Sequence, residues 1–363
     1  MSITIDALLH DLVDRDASDL HLKADAVPVM RIRGELVRAT DYPVWSAEDM
    51  KEALLGILNE DRRKRLLDFK ELDLSYHVPG LSRFRVNMFW QRGKLGAVFR
   101  VIPFKIKTID ELRLPQVTKR IAMMPRGLVL VTGPTGSGKS TSLAAMIHHI
   151  NSTKRCHVMT VEDPIEYVHA DQKSIINQRE LSTDTHTFAD ALKHVMRQNP
   201  DVILVGEMRD LETISLAITA AETGHLVFST LHTVDAAQTI DRIVDVFPPE
   251  QQAQIRTQLS VTLQAVVSQT LIPTADGKGR VAAFEVMTAT PAVRTLIRDG
   301  KTHQIYLDIQ TGADLGMQTL DNSLLNLLKE RVIDFEHAVA KSSNVSEFQR
   351  RALNQGLVEV PVG

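Results

Sequence analysis

The residues Gly133, Pro134, Thr135, Gly136, Ser137, Gly138, Lys139, Ser140 and Thr141 run consecutively and fit G-x-x-x-x-G-K-[ST] at Gly133, Gly138, Lys139 and Ser140. The apolar run Gly127-Leu-Val-Leu-Val-Thr132 precedes them and the helix-like Ser142 to Ile150 follows, so the motif sits between a strand and a helix. In that setting backbone N–H groups wrap the phosphates of a nucleotide, and the glycines let the amides approach closely. Lys139 would lie against the β- and γ-phosphates, Ser140 would offer its hydroxyl to Mg²⁺, and the helix N-terminus adds partial positive charge. A second group of residues has the chemistry to use such a nucleotide. Asp201-Val-Ile-Leu-Val-Gly-Glu207 is an apolar strand ending in a carboxylate, which makes Glu207 the candidate for holding the metal or its water. Val161-Glu-Asp-Pro-Ile-Glu166 is an acidic cluster in which Pro164 ends the strand, and hydrolysis needs a carboxylate to take a proton from water. Spacing alone does not choose among Glu162, Asp163 and Glu166. His225 and His232 bracket Leu226–Leu231 without the neighbours of a metal site or a nucleophile, and read as structural histidines. A γ-phosphate sensor at the end of that strand is the sharper alternative.

These residues need a sheet to place them. Strand-like and helical runs alternate: strand 127–132, helix 139–151, strand 156–162, helix 186–198, strand 201–206, helix 211–222, strand 225–231 and helix 235–246. Alternation of this kind predicts a parallel sheet flanked by helices, an α/β domain. Two later runs around Ala275–Gly279 predict a hairpin, and the chain from Ala292 to about Leu353 reads as amphipathic helices with a loose tail. Upstream, residues 3–16 predict an amphipathic helix, 17–22 and 27–37 strands, and 46–67 one or two helices. Phe84, Val86, Met88 and Trp90 alternate with Arg83, Arg85, Asn87 and Phe89, and a second run after Arg92–Lys94 ends at Arg100, predicting a β-hairpin with guanidinium groups off its apolar face. Such arginines could supply charge to a phosphate, although a solubilising surface is the simpler reading of the stretch by itself. The expected organisation is an N-terminal domain over 1–102, a linker over 103–115 and a nucleotide-binding domain over 116–363.

Composition bounds the function classes. A chain of 363 residues exceeds what one core usually supports. The net charge of -3, with 5% aromatic residues, gives neither the basic stripe nor the stacking side chains of a nucleic-acid binder. One cysteine, Cys156, cannot form an internal disulfide or a multi-thiolate zinc site, and fits the cytoplasm. No apolar run reaches the roughly 18 residues of a membrane span, so any membrane association is expected to be peripheral.

Together these motifs make the chain resemble the PilT-type pilus-retraction ATPases of the secretion ATPase superfamily. The likeness runs over nearly the full length, through Ala17-Ser-Asp-Leu-His-Leu22, Gly133–Thr141, Glu162-Asp-Pro-Ile-Glu166, Gly206-Glu-Met-Arg-Asp210 and Gly224-His-Leu-Val-Phe-Ser-Thr-Leu-His232. The resemblance implies a PAS-like N-terminal domain, a RecA-like P-loop NTPase domain, ATP with Mg²⁺, a homohexameric ring and an inner-membrane pilus platform as partner. It implies Glu166 as general base, Glu207 as the Walker B carboxylate, His225 and His232 near the nucleotide, and Arg83, Arg85 and Arg100 reaching toward phosphates at the catalytic interface. Ala292-Val-Arg-Thr-Leu-Ile-Arg-Asp299 resembles a helix of the retraction branch. Ser229 and Arg113 depart from it, standing where the family commonly has glycine. The expected activity is ATP hydrolysis driving pilus retraction; a pilus-assembly or type II secretion ATPase, and a nucleotide-gated adaptor with little hydrolysis, are the alternatives.

Overall fold

The computed structural model describes residues 4–32, 34–102 and 106–358. The chain divides into two compact units, Met1–Lys105 with Pro164–Val168, and Ile106–Asp163 with His169–Gly363.

In the first unit the elements are α1 (Ile5–Asp14), β1 (Ala17–Lys23), β2 (Val29–Ile32), β3 (Glu35–Arg38), α2 (Ala47–Gly56), α3 (Glu60–Phe69), β4 (Glu71–Val78), β5 (Ser82–Gln91) and β6 (Lys94–Ile102). The strands form one sheet in the order β3-β2-β1-β6-β5-β4, antiparallel throughout. Leu8, Leu9 and Leu12 of α1, Met50 and Leu54 of α2 and Leu66 of α3 pack with Phe84, Val86, Met88 and Phe99 of the sheet. Period-two alternation then sends Arg83, Arg85 and Arg100 to the opposite face.

The second unit contains α4 (Val117–Ala122), β7 (Gly127–Thr132), α5 (Lys139–Thr153), β8 (His157–Glu162), β9 (Ile175–Glu180), α6 (Phe188–Val195), β10 (Val202–Val205), α7 (Leu211–Glu222), β11 (Leu226–Leu231), α8 (Ala236–Asp245), α9 (Pro249–Thr262), β12 (Leu263–Pro273), β13 (Arg280–Thr288), α10 (Pro291–Arg298), α11 (Ile305–Thr311), α12 (Leu320–Lys329), α13 (Phe335–Val339) and α14 (Val345–Asn354). Its sheet has the order β13-β12-β7-β11-β10-β8-β9, parallel except for the β12–β13 pair. The central strands β7, β10 and β11 are buried at every position because both faces are covered. Leu128 and Leu130 of β7 face one core with Ile203, Val205 and Val227, whereas Val129 and Val131 face the other with Ala145, Met146 and Phe228. Within the stretch expected as a linker, Ile109 and Leu114 are buried in this second core, and residues 103–105 lie outside the described residues. Residues 1–3, at the head of the expected first helix, and 359–363 of the expected tail do so as well. Arg113 adopts φ 53° and carries the strain that a glycine would avoid.

One buried acid sets a pH dependence for this unit. Glu285, in β13, is 5% exposed and accepts a hydrogen bond from the Ala236 N–H at 2.9 Å. Burial pushes its carboxyl up to about 7; the Ala236 bond pulls against that, while Asp235 and Asp321 reinforce it. Since the folded value exceeds the ordinary 4.5, stability is highest below that pH, falls as pH rises toward about 7 and is level above. The span corresponds to a cost on the order of 3 kcal/mol at alkaline pH. Glu285→Gln keeps an acceptor for Ala236 and removes the charge. Thermal melts should show the variant several degrees more stable than the parent at pH 8 and little changed at pH 5; equal melts at both would exclude an ionisation cost here.

Candidate nucleotide site

Six parallel strands, β12, β7, β11, β10, β8 and β9, run toward one edge of the second sheet with their carboxyl ends, the edge where α/β proteins bind ligands. β7 ends at Thr132, whose Oγ1 donates to Ser268 Oγ of β12 at 2.8 Å. Gly133 follows at φ 141°, so close to β12 that a Cβ there would lie 2.2 Å from the Gln269 carbonyl oxygen. Gln269 also donates through Nε2 to the Ser137 carbonyl at 2.7 Å, bracing the glycine loop from the neighbouring strand. Gly138, at φ 90°, starts α5 without a side-chain cap. The first-turn amides therefore face the loop, as anion binding at a helix N-terminus requires.

Lys139 folds back over this loop. Its Nζ donates to the carbonyls of Gly133 at 2.8 Å and Pro134 at 3.2 Å, and lies 3.5 Å from His232 Nδ1. His232, just beyond β11, meets Glu207 with Nε2 at 3.0 Å from Oε1. Protonation of the ring at Nε2 gives Glu207 a donor and leaves Nδ1 to accept from Lys139. Glu207 is further held by Arg209, with NH2 at 2.7 Å from Oε2. Burial alone raises the Glu207 carboxyl, but the hydrogen bond and charge of Arg209, with the hydrogen bond from His232, outweigh it and hold the group below the usual carboxylate range. The preceding Gly206 is fixed on both sides, by its N–H to the Val161 carbonyl at 2.8 Å and by Thr230 Oγ1 donating to its carbonyl at 2.6 Å. Ser229, the other departure from the family pattern, is fully buried and satisfied by donating to the Val205 carbonyl at 2.8 Å.

The structure thus brings the loop 133–141, Lys139, Ser140, Glu207 and His232 to one edge. It does not bring His225 there. His225 precedes β11, whose Leu226 pairs with Gly127 at the start of β7, and its Nδ1 lies 2.9 Å from the Ala220 carbonyl of α7. Six strand residues separate the two histidines, roughly 20 Å at the rise of an extended chain. The expectation that both lie near the nucleotide is therefore corrected: within this unit His225 anchors the far end of the strand. In the acidic cluster, Glu162 ends β8 with Oε1 accepting from Thr160 Oγ1 at 2.6 Å. Glu166 is half-buried on the segment Pro164–Val168, which groups with the first unit.

The three arginines lie in the first unit on the sheet face opposite its helices. Arg100 stands directly across from Arg85 on one side and from Asp19 on the other. Its Nε donates to Asp19 Oδ1 at 2.7 Å, and Arg83 NH2 donates to Ser75 Oγ at 2.7 Å. Asp19 is 3% exposed; burial works to raise its carboxyl, and the bonds from Ser18 and Arg100 prevail to hold it low. Sequence reasoning assigned no role to Asp19, Arg209 or Gln269. A signal for two of them existed in the strings Ala17–Leu22 and Gly206–Asp210, whereas nothing in the sequence marks Gln269. In the helix resembling the retraction branch, Arg294 and Arg298 differ in use. Arg294 donates from NH1 to the carbonyls of Ser260 at 2.7 Å and Val261 at 2.9 Å, closing the C-terminus of α9, while Arg298 is exposed.

Comparison with known proteins shows the family. The family described as Type II/IV secretion system protein matches residues 106–292. The "Type IV pilus retractation ATPase PilT" of Pseudomonas aeruginosa is 53% identical, over 95% of this chain and 99% of its own length. A "Twitching motility protein" of Neisseria gonorrhoeae is 51% identical, over 88% of this chain and 86% of its own. Among solved structures, the pilus retraction motor PilT with bound ADP superposes with a TM-score of 0.90 at 45% identity, covering 96% of this chain and 99% of that one.

Proposed function

The chain belongs to the PilT-type retraction ATPases of the type II/IV secretion family, and from that premise we infer that it hydrolyses ATP to power retraction of a type IV pilus. The observation that carries the reading is the connected set Lys139, His232 and Glu207 at the mouth of a complete glycine loop. A phosphate chain in that loop takes over the contacts that Lys139 makes to Gly133 and Pro134, and His232 is placed to relay the change to Glu207. Ser140 and Glu207 carry hard oxygen donors of the kind Mg²⁺ takes and would be the residues to hold it. When bound, the ion neutralises charge on the β- and γ-phosphate oxygens. Glu166 is the general base. It takes a proton from water as the water oxygen bonds to the terminal phosphorus; the bridging bond to the β-phosphate breaks, and ADP and phosphate leave. Arg83, Arg85 and Arg100 are the candidates to stabilise charge on the transferred group, with Asp19 orienting Arg100.

The working particle is a homohexamer in the cytoplasm, docked on the inner-membrane platform of the pilus; among the described residues no helix is long and apolar enough to cross a membrane. Phosphate release measured alongside particle mass tests the catalytic and assembly parts together. Nucleotide-dependent release from a ring of six chains is expected, and deletion of the gene should leave cells with excess pili. ATP binding without phosphate release would instead identify a nucleotide-gated adaptor, and loss of pili on deletion would identify an assembly motor.

A further inference from the structure

The segment that carries Glu166 leaves the second sheet at Glu162, and the chain returns to the second unit at His169 before entering β9 at Ile175. Both ends meet one side chain. Gln178, on the edge strand β9, lies opposite Thr160 of β8 in the parallel register, so its side chain shares a face with Thr160 and Glu162. Its Nε2 donates to Glu162 Oε1 at 3.1 Å and its Oε1 accepts from the His169 N–H at 2.8 Å. A single carboxamide, using its donor on one arm and its acceptor on the other, therefore closes a loop whose six intervening residues are Asp163–Val168. The rejoining arm is tied once more. Asn151, 1% exposed near the end of α5, donates through Nδ2 to the Ala170 carbonyl at 2.8 Å and accepts at Oδ1 from the Gln172 N–H at 3.0 Å. Since α5 is the helix that begins at Lys139, the rejoining arm is fastened to the element that forms the phosphate loop.

We propose that Gln178 is a positioning residue for hydrolysis, closing the acidic loop so that Glu166 is presented at a fixed place. The proposal rests on Glu166 being the base. A loop with both ends joined has far fewer conformations than an open one, and misplacement of a reacting group by about 1 Å costs on the order of 10²-fold in rate. Only an amide serves both arms at once. A glutamate at this position keeps the acceptor for His169 but sets a second carboxylate against Glu162, and alanine leaves both arms unjoined.

The test is steady-state hydrolysis together with equilibrium binding of a fluorescent ADP analogue, on the full-length chain. Gln178→Ala should lower kcat about 10- to 100-fold with the ADP dissociation constant within about twofold of the parent. Gln178→Glu, nearly isosteric, should be impaired at least as much at neutral pH. The double variant Glu162→Gln with Gln178→Glu restores one donor and one acceptor across the contact and should recover much of the rate. The proposal is overturned if Gln178→Ala keeps kcat within about twofold, if kcat and ADP affinity fall together, or if both single variants fail to fold. Glu166→Gln run in parallel separates the two levels. If it hydrolyses ATP normally, the assignment of the base has failed; if it is inactive while Gln178→Ala is normal, only the role of Gln178 has.

Discussion

Glu166→Gln is expected to bind ATP with the affinity of the parent and to release phosphate about 10³-fold more slowly, whereas Glu162→Gln should retain most of the activity. The contrast follows from what each carboxylate does. Glu162 Oε1 accepts from Thr160 and Gln178, two bonds that a glutamine oxygen accepts equally well. For those two bonds an uncharged acceptor is enough. A general base must take a proton, which an amide cannot do, so the same substitution at Glu166 removes the function and leaves the shape. Phosphate release after rapid mixing, with a fluorescent ATP analogue to measure binding, distinguishes the outcomes. An active Glu166→Gln together with an inactive Glu162→Gln would move the base to the strand end. Loss of nucleotide binding in either would show that the acidic loop shapes the phosphate pocket and does not only act on water.

How much of this was legible in the residues depends on burial. β7, β8, β10 and β11 are covered on both faces, so their apolar runs stand out, and the order of strand, glycine loop and helix placed Lys139 and Ser140 before any coordinates. β9 carries no strand signal in its residues. It is an edge strand whose residues Ile175-Ile-Asn-Gln-Arg-Glu180 bury only Ile176 and Glu180, leaving neither an apolar run nor a clean alternation. Gln178 was hidden with it. β4 differs, since Leu72, Leu74, Tyr76 and Val78 recur with the period of two that marks a strand. The pairing of His225 with His232 was an error of a different kind. Two residues that bracket a parallel strand stand at opposite edges of the sheet, so strand geometry alone places just one of them beside a loop at the carboxyl edge. Gln269 was beyond reach, because its role depends on β12 lying next to β7, a pairing between segments more than a hundred residues apart.

That same pairing governs Gly133→Ala, which should cost at least about 100-fold in nucleotide affinity, or about 2.7 kcal/mol. Two penalties coincide at this residue. Its φ of 141° is strained for any residue with a Cβ, and the added methyl would lie 2.2 Å from the Gln269 carbonyl oxygen and 2.7 Å from Ser137 Oγ. The first neighbour is backbone in the middle of β12 and cannot swing aside, so relief must come from the loop. Moving the loop outward breaks the Gln269–Ser137 bond and tilts the first amides of α5 away from the phosphates. Gly136 provides the internal comparison: it also has a positive φ, 77°, yet nothing lies within 4 Å of a Cβ there, so Gly136→Ala carries the backbone strain without the collision. ADP titration of both variants by calorimetry should therefore rank parent, Gly136→Ala and Gly133→Ala in falling affinity, with melting temperatures of the ligand-free proteins following the same order. Equal affinities for the two variants would mean that positive φ alone sets the cost, and that the brace from β12 does not shape the phosphate loop.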